Sequence, residues 1–311
     1  MSTPTLTDLP EDPILERRKL VQATARRTLA RRTVISRVML AMCVVALVLA
    51  LIPLVWLMVA LVVKGLQWWS FTFFTKVPGV PTVFDQNNVG GIAPSIVGSL
   101  VIDTIAVLMA VPVGVIAGLL LAETDNFFTT SLRKTAEVMT GLPSILLGIF
   151  AYQFIVIRLH VGFAGIAGSF ALAVLMIPVI MKASETALRT VPGHLKEAGL
   201  ALGMRKSVVS RRIVVPTAMP GLVTAVLLAT SRAVGETAPL LLVIGASNIV
   251  TWNPFKPMAA LPLSIYIPFL NSPYPAQRLQ AWGIALFLVV VVLLLNLGSR
   301  LLAAFIQRER R

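Results

Sequence analysis

Residues 185–215 read ETALRTVPGHLKEAGLALGMRKSVVSRRIVV, and Pro216 follows at the start of an apolar run. The stretch is basic and lies between two apolar segments, far longer than the few polar residues a turn between membrane helices needs. It also carries its own punctuation. Thr190-Val191-Pro192 sets a proline at the first turn of a helix behind a β-hydroxyl residue. Gly203 accepts the left-handed conformation that ends helices. The spacing predicts a short helix from Pro192 to about Leu202. Leu195, Ala198 and Leu202 then fall at i, i+3 and i+7 as one apolar stripe, with Lys196 and Glu197 facing elsewhere. On these residues alone two readings stand open. The helix is an amphipathic connector resting on a membrane surface, or its stripe fits a groove in a partner.

Outward from this stretch the chain is strongly apolar. Hydrophobic residues make up 57% and charged residues 13%, with a mean hydropathy of +0.88. Soluble domains carry about 25% charged residues. In 311 residues this balance defines a polytopic membrane protein. Six runs reach the ~20 residues a helical span requires: residues 38–63, 95–122, 138–157, 166–181, 217–244 and 282–306. The third and fourth contain Gly141, Pro143 and Gly148, and Gly168 and Pro178, which membrane helices tolerate when neighbours satisfy the freed backbone groups. The expected class is therefore all-α, a polytopic membrane protein with six transmembrane helices.

The net charge of +14 follows the edges of these runs, a distribution that excludes a nucleic-acid partner and implies contact with membrane lipid. With six spans, 21 of the 27 lysines and arginines fall on one side. The positive-inside rule puts both termini and the 185–216 loop in the cytoplasm. The chain divides into a basic N-terminal arm (1–37), a transmembrane domain (38–306) and a short tail (307–311). The arm, to about residue 33, reads as partly disordered or lying on the membrane surface. On the outer side, Trp68, Trp69, Phe71, Phe73 and Phe74 suggest an interfacial aromatic belt with a short helix lying flat. The proline-rich loop 247–280 contains ALPLSIYIPFL, a short re-entrant or interfacial segment.

Few residues here are equipped for bond chemistry. Cys43 stands alone, and His160 and His194 lie in different loops, so neither a disulfide framework nor a metal site is expected. There is no nucleophile constellation and no GxxxxGK[ST] phosphate loop, so no catalytic residue, no bound cofactor and no ATP hydrolysis by this chain are expected. What stands out is charge inside the membrane. Arg232 and Glu236 are four residues apart within TAVLLATSRAVGETAPLLLVIGA, on one face if the helix is continuous. Such charges are costly and face an interior or a water-filled path. A guanidinium offers planar, bidentate hydrogen bonds to an oxyanion, and Thr230, Ser231 and Thr237 add hydroxyls. The alternative is a structural pair locking two helices. Asp103 in the second span reads as structural, paired with Arg232 or another base, or solvated near the outer end. Glu185 and Lys182 read as solvated groups at the cytoplasmic interface.

The loop pattern resembles the EAA loop of importer-type ABC transporter permeases. That pattern is EAA, three residues, Gly, nine residues, Ile, one residue, Leu-Pro. Here it reads Glu197-Ala198-Gly199, Gly203, Ile213 and Pro216, with Gly199 for the last Ala and Val215 for Leu. The resemblance implies an importer-type ABC permease fold and a coupling helix seated in a cleft of a cytoplasmic ATPase. Over about residues 35–306, and most specifically in SRAVGETAPLL, GGIAPSIVGSL and GLPSILLGIFAY, the chain resembles the PstA-type permease family of phosphate ABC importers. That family implies a bacterial plasma-membrane subunit. Its partners would be a related permease (PstC type) in a heterodimer, two ATPase subunits (PstB type) using ATP and Mg, and an extracytoplasmic phosphate-binding protein (PstS type). It also implies that Arg232 and Glu236 occupy positions implicated in phosphate passage, and the neighbouring hydroxyls of Ser231 and Thr237 complete the expected substrate path. A permease for sulfate or molybdate has the same architecture, and an ATPase-independent transporter is a further alternative, weakened by the absence of an inverted repeat.

Overall fold

The computed structural model describes residues 13–308 except 80, 82–84, 86 and 87. The first twelve residues of the expected arm and the last three of the tail lie outside them. The described residues form helices joined by turns, with one isolated β-bridge between Pro78 and Gly90.

Helix α1 runs from Pro13 to Leu66. The arm from Pro13 onward is thus helical and continuous with the first span, not loose. Its sequence ERRKLVQATARRTLARR has no Gly or Pro and is rich in good helix formers. From Arg32 to Leu66 α1 is apolar enough to cross a membrane, and residues 32–59 are exposed. A helix that is apolar on all sides requires lipid or other protein around it.

The remaining helices are α2 (Phe71–Thr75), α3 (Ala93–Glu123), α4 (Phe127–Gly141), α5 (Ser144–Ala151), α6 (Gly165–Arg189), α7 (Gly193–Ala201), α8 (Lys206–Val209), α9 (Val215–Ala233), α10 (Ala238–Leu241), α11 (Leu261–Asn271) and α12 (Pro275–Arg308). Segments 32–66, 93–123, 165–189, 206–233 and 275–298 are each long and apolar enough to span. A sixth is reached when one bent pair is counted as a single span. The α4 helix meets α5 and its π-helical extension (Tyr152–Arg158) at 102°. The expected straight span at 138–157 is therefore corrected. Pro143 cannot continue a helix from α4, and the residue before it, Leu142, is extended, as that position prefers. Pro178, by contrast, stays inside an unbroken α6.

The core lies between α3 and α6. Ala106 and Ala110 on α3 face Leu172, Met176 and Ile180 on α6, with α9 and α10 closing the cluster. The two helices cross closely because α3 carries Gly114 and Gly118. A Cβ at these positions would come within 2.7 Å of Ile180 Cβ and 2.6 Å of Ser184 Cβ. Such small-residue seams let membrane helices approach closely enough for dispersion contacts to hold them.

The outer aromatic segment also departs from expectation. Helix α2 is present, but only Phe71 projects. Phe73 is buried with Ile92, Leu261 and Ile284, and Trp68, Trp69 and Phe74 pack on that cluster. Trp69 Nε1 donates to the Gly283 carbonyl at 3.1 Å, and its ring meets Phe74 edge-on at 5.5 Å. These rings pack against Ile92 and against α11 and α12, so the segment contributes to a core cluster. Helix α11, at 11 residues, is too short to span.

Candidate translocation site and coupling loop

The short helix expected after Pro192 forms where the sequence places it. Pro192 precedes α7, and Gly203 has φ +76° just beyond its end. The Met204 amide donates to the Gly199 carbonyl and the Gly203 amide to the Leu200 carbonyl, the paired bonds of a Schellman ending. The expected stripe is partly corrected. Leu195 turns inward to Leu188, Val191 and Val209, whereas Ala198 stays exposed and Leu202 is 82% exposed. The buried face is set by Leu195 and Gly199, four residues apart. Gly199 lies against Val209 and Ile213, which brings two distant positions of the EAA pattern together. Glu197 and Ala198 face outward. Pro216, within the first two residues of α9, has no amide to give the Arg212 carbonyl. The chain widens to a π-helical turn over Ser210–Val214 just before it. The Thr217 hydroxyl then donates to the Ile213 carbonyl at 2.6 Å.

The intramembrane charges sit at a break. The expected span 217–244 is not one helix. Its helix ends at Ala233, tight turns follow in which Gly235 and Glu236 amides donate to Arg232 and Ala233 carbonyls, and α10 begins at Ala238. Pro239 starts the new helix instead of kinking the old one. Arg232 Nε and Glu236 Oε1 remain 3.8 Å apart, with side chains 56% and 19% exposed. They are neighbours across a helix end, not on one continuous face. Thr237, half-buried, opens α10. Ser231 is placed elsewhere. It is buried, and its hydroxyl lies 3.0 Å from the Leu228 carbonyl and 3.2 Å from Asn296 Oδ1 of α12, to either of which it donates. Thr230 bonds the Val226 carbonyl within its own helix.

Asp103 does not reach Arg232. It lines a largely apolar cavity of about 400 Å³ between α3, α9, α11 and α12, beside Thr104 and Thr230, and the ion pair of Arg232 is with Glu236.

One cluster escaped the sequence reading. Glu185 is buried, not solvated. Its Oε1 accepts from Arg133 Nη2 at 2.9 Å and from Arg189 Nε at 3.1 Å. Asp125 lies 3.5 Å from Arg133 and 3.4 Å from Arg189. Lys182 pairs loosely with Glu137 at 3.6 Å. Only the i, i+4 spacing of Glu185 and Arg189 is visible locally; Arg133 comes from another helix.

A long apolar helix array, a capped helix between spans and an Arg–Glu pair at a broken span are the features of a multi-pass transport subunit. The chain belongs to the family of binding-protein-dependent transport system inner membrane components, whose pattern matches residues 110–311. Among its relatives are the phosphate transport system permease protein PstA 1 of Mycobacterium tuberculosis, 36% identical over 272 residues, covering 85% of this chain and 86% of that one. PstA of Haemophilus influenzae is 35% identical over 256 residues, covering 82% and 88%. PstA of Xylella fastidiosa is 36% identical over 244 residues, covering 78% and 83%. Among solved structures, a bacterial alginate ABC transporter aligns with TM-score 0.60 at 15% identity, over 84% of this chain and 92% of that one. The MetNI methionine ABC transporter aligns at 0.55 and 20% identity, over 68% and 94%. The fold is that of importer-type ABC permeases.

Proposed function

We propose that this chain is one of two membrane subunits of an ATP-driven phosphate importer. In this reading it pairs with a related permease, docks two cytoplasmic ATPases and receives phosphate from an extracytoplasmic binding protein. Both termini and α7 face the cytoplasm, in keeping with the distribution of basic residues. The relatives named above are phosphate permeases over most of their length, which supports the substrate. The observation that carries the path is Arg232. Its guanidinium is more than half exposed on an otherwise apolar span. Lipid does not accept that charge, so this face borders water or a second subunit, where a translocation path between permeases would run.

Arg232 supplies bidentate hydrogen bonds to the passing anion. Glu236, across the helix break, competes for the same guanidinium and keeps the anion from lodging there. The break leaves Gly235 and Thr237 free of α9, so the pair can shift as the spans rock between outward and inward openings. ATP binding draws the ATPases together and moves α7 in its cleft.

The test is phosphate uptake into proteoliposomes holding the whole complex, wild type against Arg232→Gln, with ATP hydrolysis recorded alongside. Uptake lost while the complex assembles and hydrolyses ATP supports the path. Undiminished uptake with Arg232→Gln removes Arg232 from it.

A further inference from the structure

The coupling segment leaves α6 at Arg189 and rejoins the bundle at Ser210, and both ends are tied to one target, the last turn of α3. At the entrance, Arg189 Nη2 donates to the Leu121 carbonyl at 3.0 Å, and its Nε donates to Glu185 Oε1. Arg133, from α4, donates to the same carboxylate oxygen through Nη2 at 2.9 Å and Nε at 3.2 Å. At the exit, the Ser210 hydroxyl donates to the carboxylate of Glu123, the last residue of α3. Ser210 is itself buried.

There is a physical reason for this convergence. The final carbonyls of a helix lack partners within it and carry partial negative charge. Leu121 is among those of α3, and two guanidinium groups cover it. Two like charges meet there because two carboxylates lie between them, the exposed Asp125 and the Glu185 carboxylate, 12% exposed and in closer contact. Without Glu185 only the solvent-screened Asp125 offsets the repulsion between Arg133 and Arg189, and their hold on the α3 end weakens.

From that end α3 continues as a single helix of 31 residues. It is seamed to α6 through Gly118, and near its other end the Ser99 hydroxyl accepts from the Leu261 amide of α11 at 2.9 Å. It therefore links the coupling segment to the far end of the bundle in one continuous helix, which Pro112 does not break.

We propose that α3 receives the movement of the coupling helix, and that Glu185 is the positioning residue that makes α3 follow it. The proposal rests on the importer reading above. Glu185 touches neither anion nor ATPase. It acts by holding Arg133 and Arg189 on the α3 end, so that displacement of α7 is delivered to the spans instead of being absorbed in the loop.

The experiment uses the reconstituted complex with its binding protein and reads ATP hydrolysed per phosphate moved, for wild type, Glu185→Gln, Glu185→Asp and Ser210→Ala. ATPase retained after purification is measured for each. The expected result is that all bind the ATPase. Hydrolysis per phosphate rises several-fold in Glu185→Gln and less in Ser210→Ala, and Glu185→Asp restores most of the coupling. A merely structural clamp lowers uptake and hydrolysis in parallel and leaves their ratio at the wild-type value, which overturns the proposal. If Glu185→Gln does not assemble, Ser210→Ala decides, and a wild-type ratio there overturns it equally. Wild-type complex that hydrolyses ATP without moving phosphate sinks the substrate assignment instead. Transmission is then read as stimulation of hydrolysis by the binding protein, and stimulation undiminished in Ser210→Ala and Glu185→Gln counts against it.

Discussion

A Cβ added to Gly199 would lie 2.8 Å from Cδ1 of Ile213. Fourteen residues apart in sequence, the two are in contact, and this contact seats the coupling helix on the root of α9. Alanine at 199 asks the far end of Ile213 to move and Val209, 3.0 Å from the added Cβ, to give slightly, and gains about 1 kcal/mol of helix propensity over glycine. Gly199→Ala is expected to leave transport within about twofold. Gly199→Leu overpacks the site at a cost of about 1–3 kcal/mol and loosens α7, read as a lower melting midpoint of the purified complex with reduced uptake.

Leu202 is a second test of α7. It contributes little to the isolated chain, because it is almost wholly exposed. Leu202→Asp should insert into membranes normally and lose its ATPase. Burying a leucine is worth about 1.5–3 kcal/mol, so affinity for the ATPase should fall by about tenfold to a hundredfold, measured by co-purification or by binding to immobilised complex.

Glu236 lies 3.8 Å from an exposed guanidinium, and exposed pairs are worth about 0.2–1 kcal/mol. Glu236→Gln therefore tightens the apparent half-saturation for phosphate by up to about fivefold and lowers the maximal rate, as the anion leaves Arg232 more slowly. Uptake kinetics in proteoliposomes decide it. Unchanged constants remove Glu236 from the path.

Ser231 behaves differently from its neighbour. Its bond to Asn296 joins α9 to α12, and such a bond contributes about 1 kcal/mol. Ser231→Ala should lower the melting midpoint by about 2–4 °C and leave the half-saturation for phosphate unaltered. A selective loss of phosphate affinity at full stability would place this hydroxyl in the path after all.

The features that were legible from sequence are local ones. The spans are runs of apolar residues, and α7 is framed by Pro192 and Gly203, residues whose backbone limits act wherever they stand. The features that were missed depend on contacts between distant segments. Nothing near Glu185 announces that Arg133, 52 residues earlier, will share its carboxylate. The aromatic residues at 68–74 have the composition of a membrane belt, and only the arrival of Ile284 and Phe287 from α12 turns them into a core. The ends of the spans at Leu142 and Ala233 were masked by apolar residues that continue past the break, because hydropathy does not register backbone direction.

Leu202 and Arg232 together have a consequence for the subunit before it meets its partners. One is an apolar side chain left exposed, the other a guanidinium left more than half exposed beside Glu236 at the end of an apolar helix. On the proposed function, an orphan copy is marked at these two points until an ATPase covers Leu202 and a second permease covers Arg232, which would tie stable assembly to the solvation of two side chains.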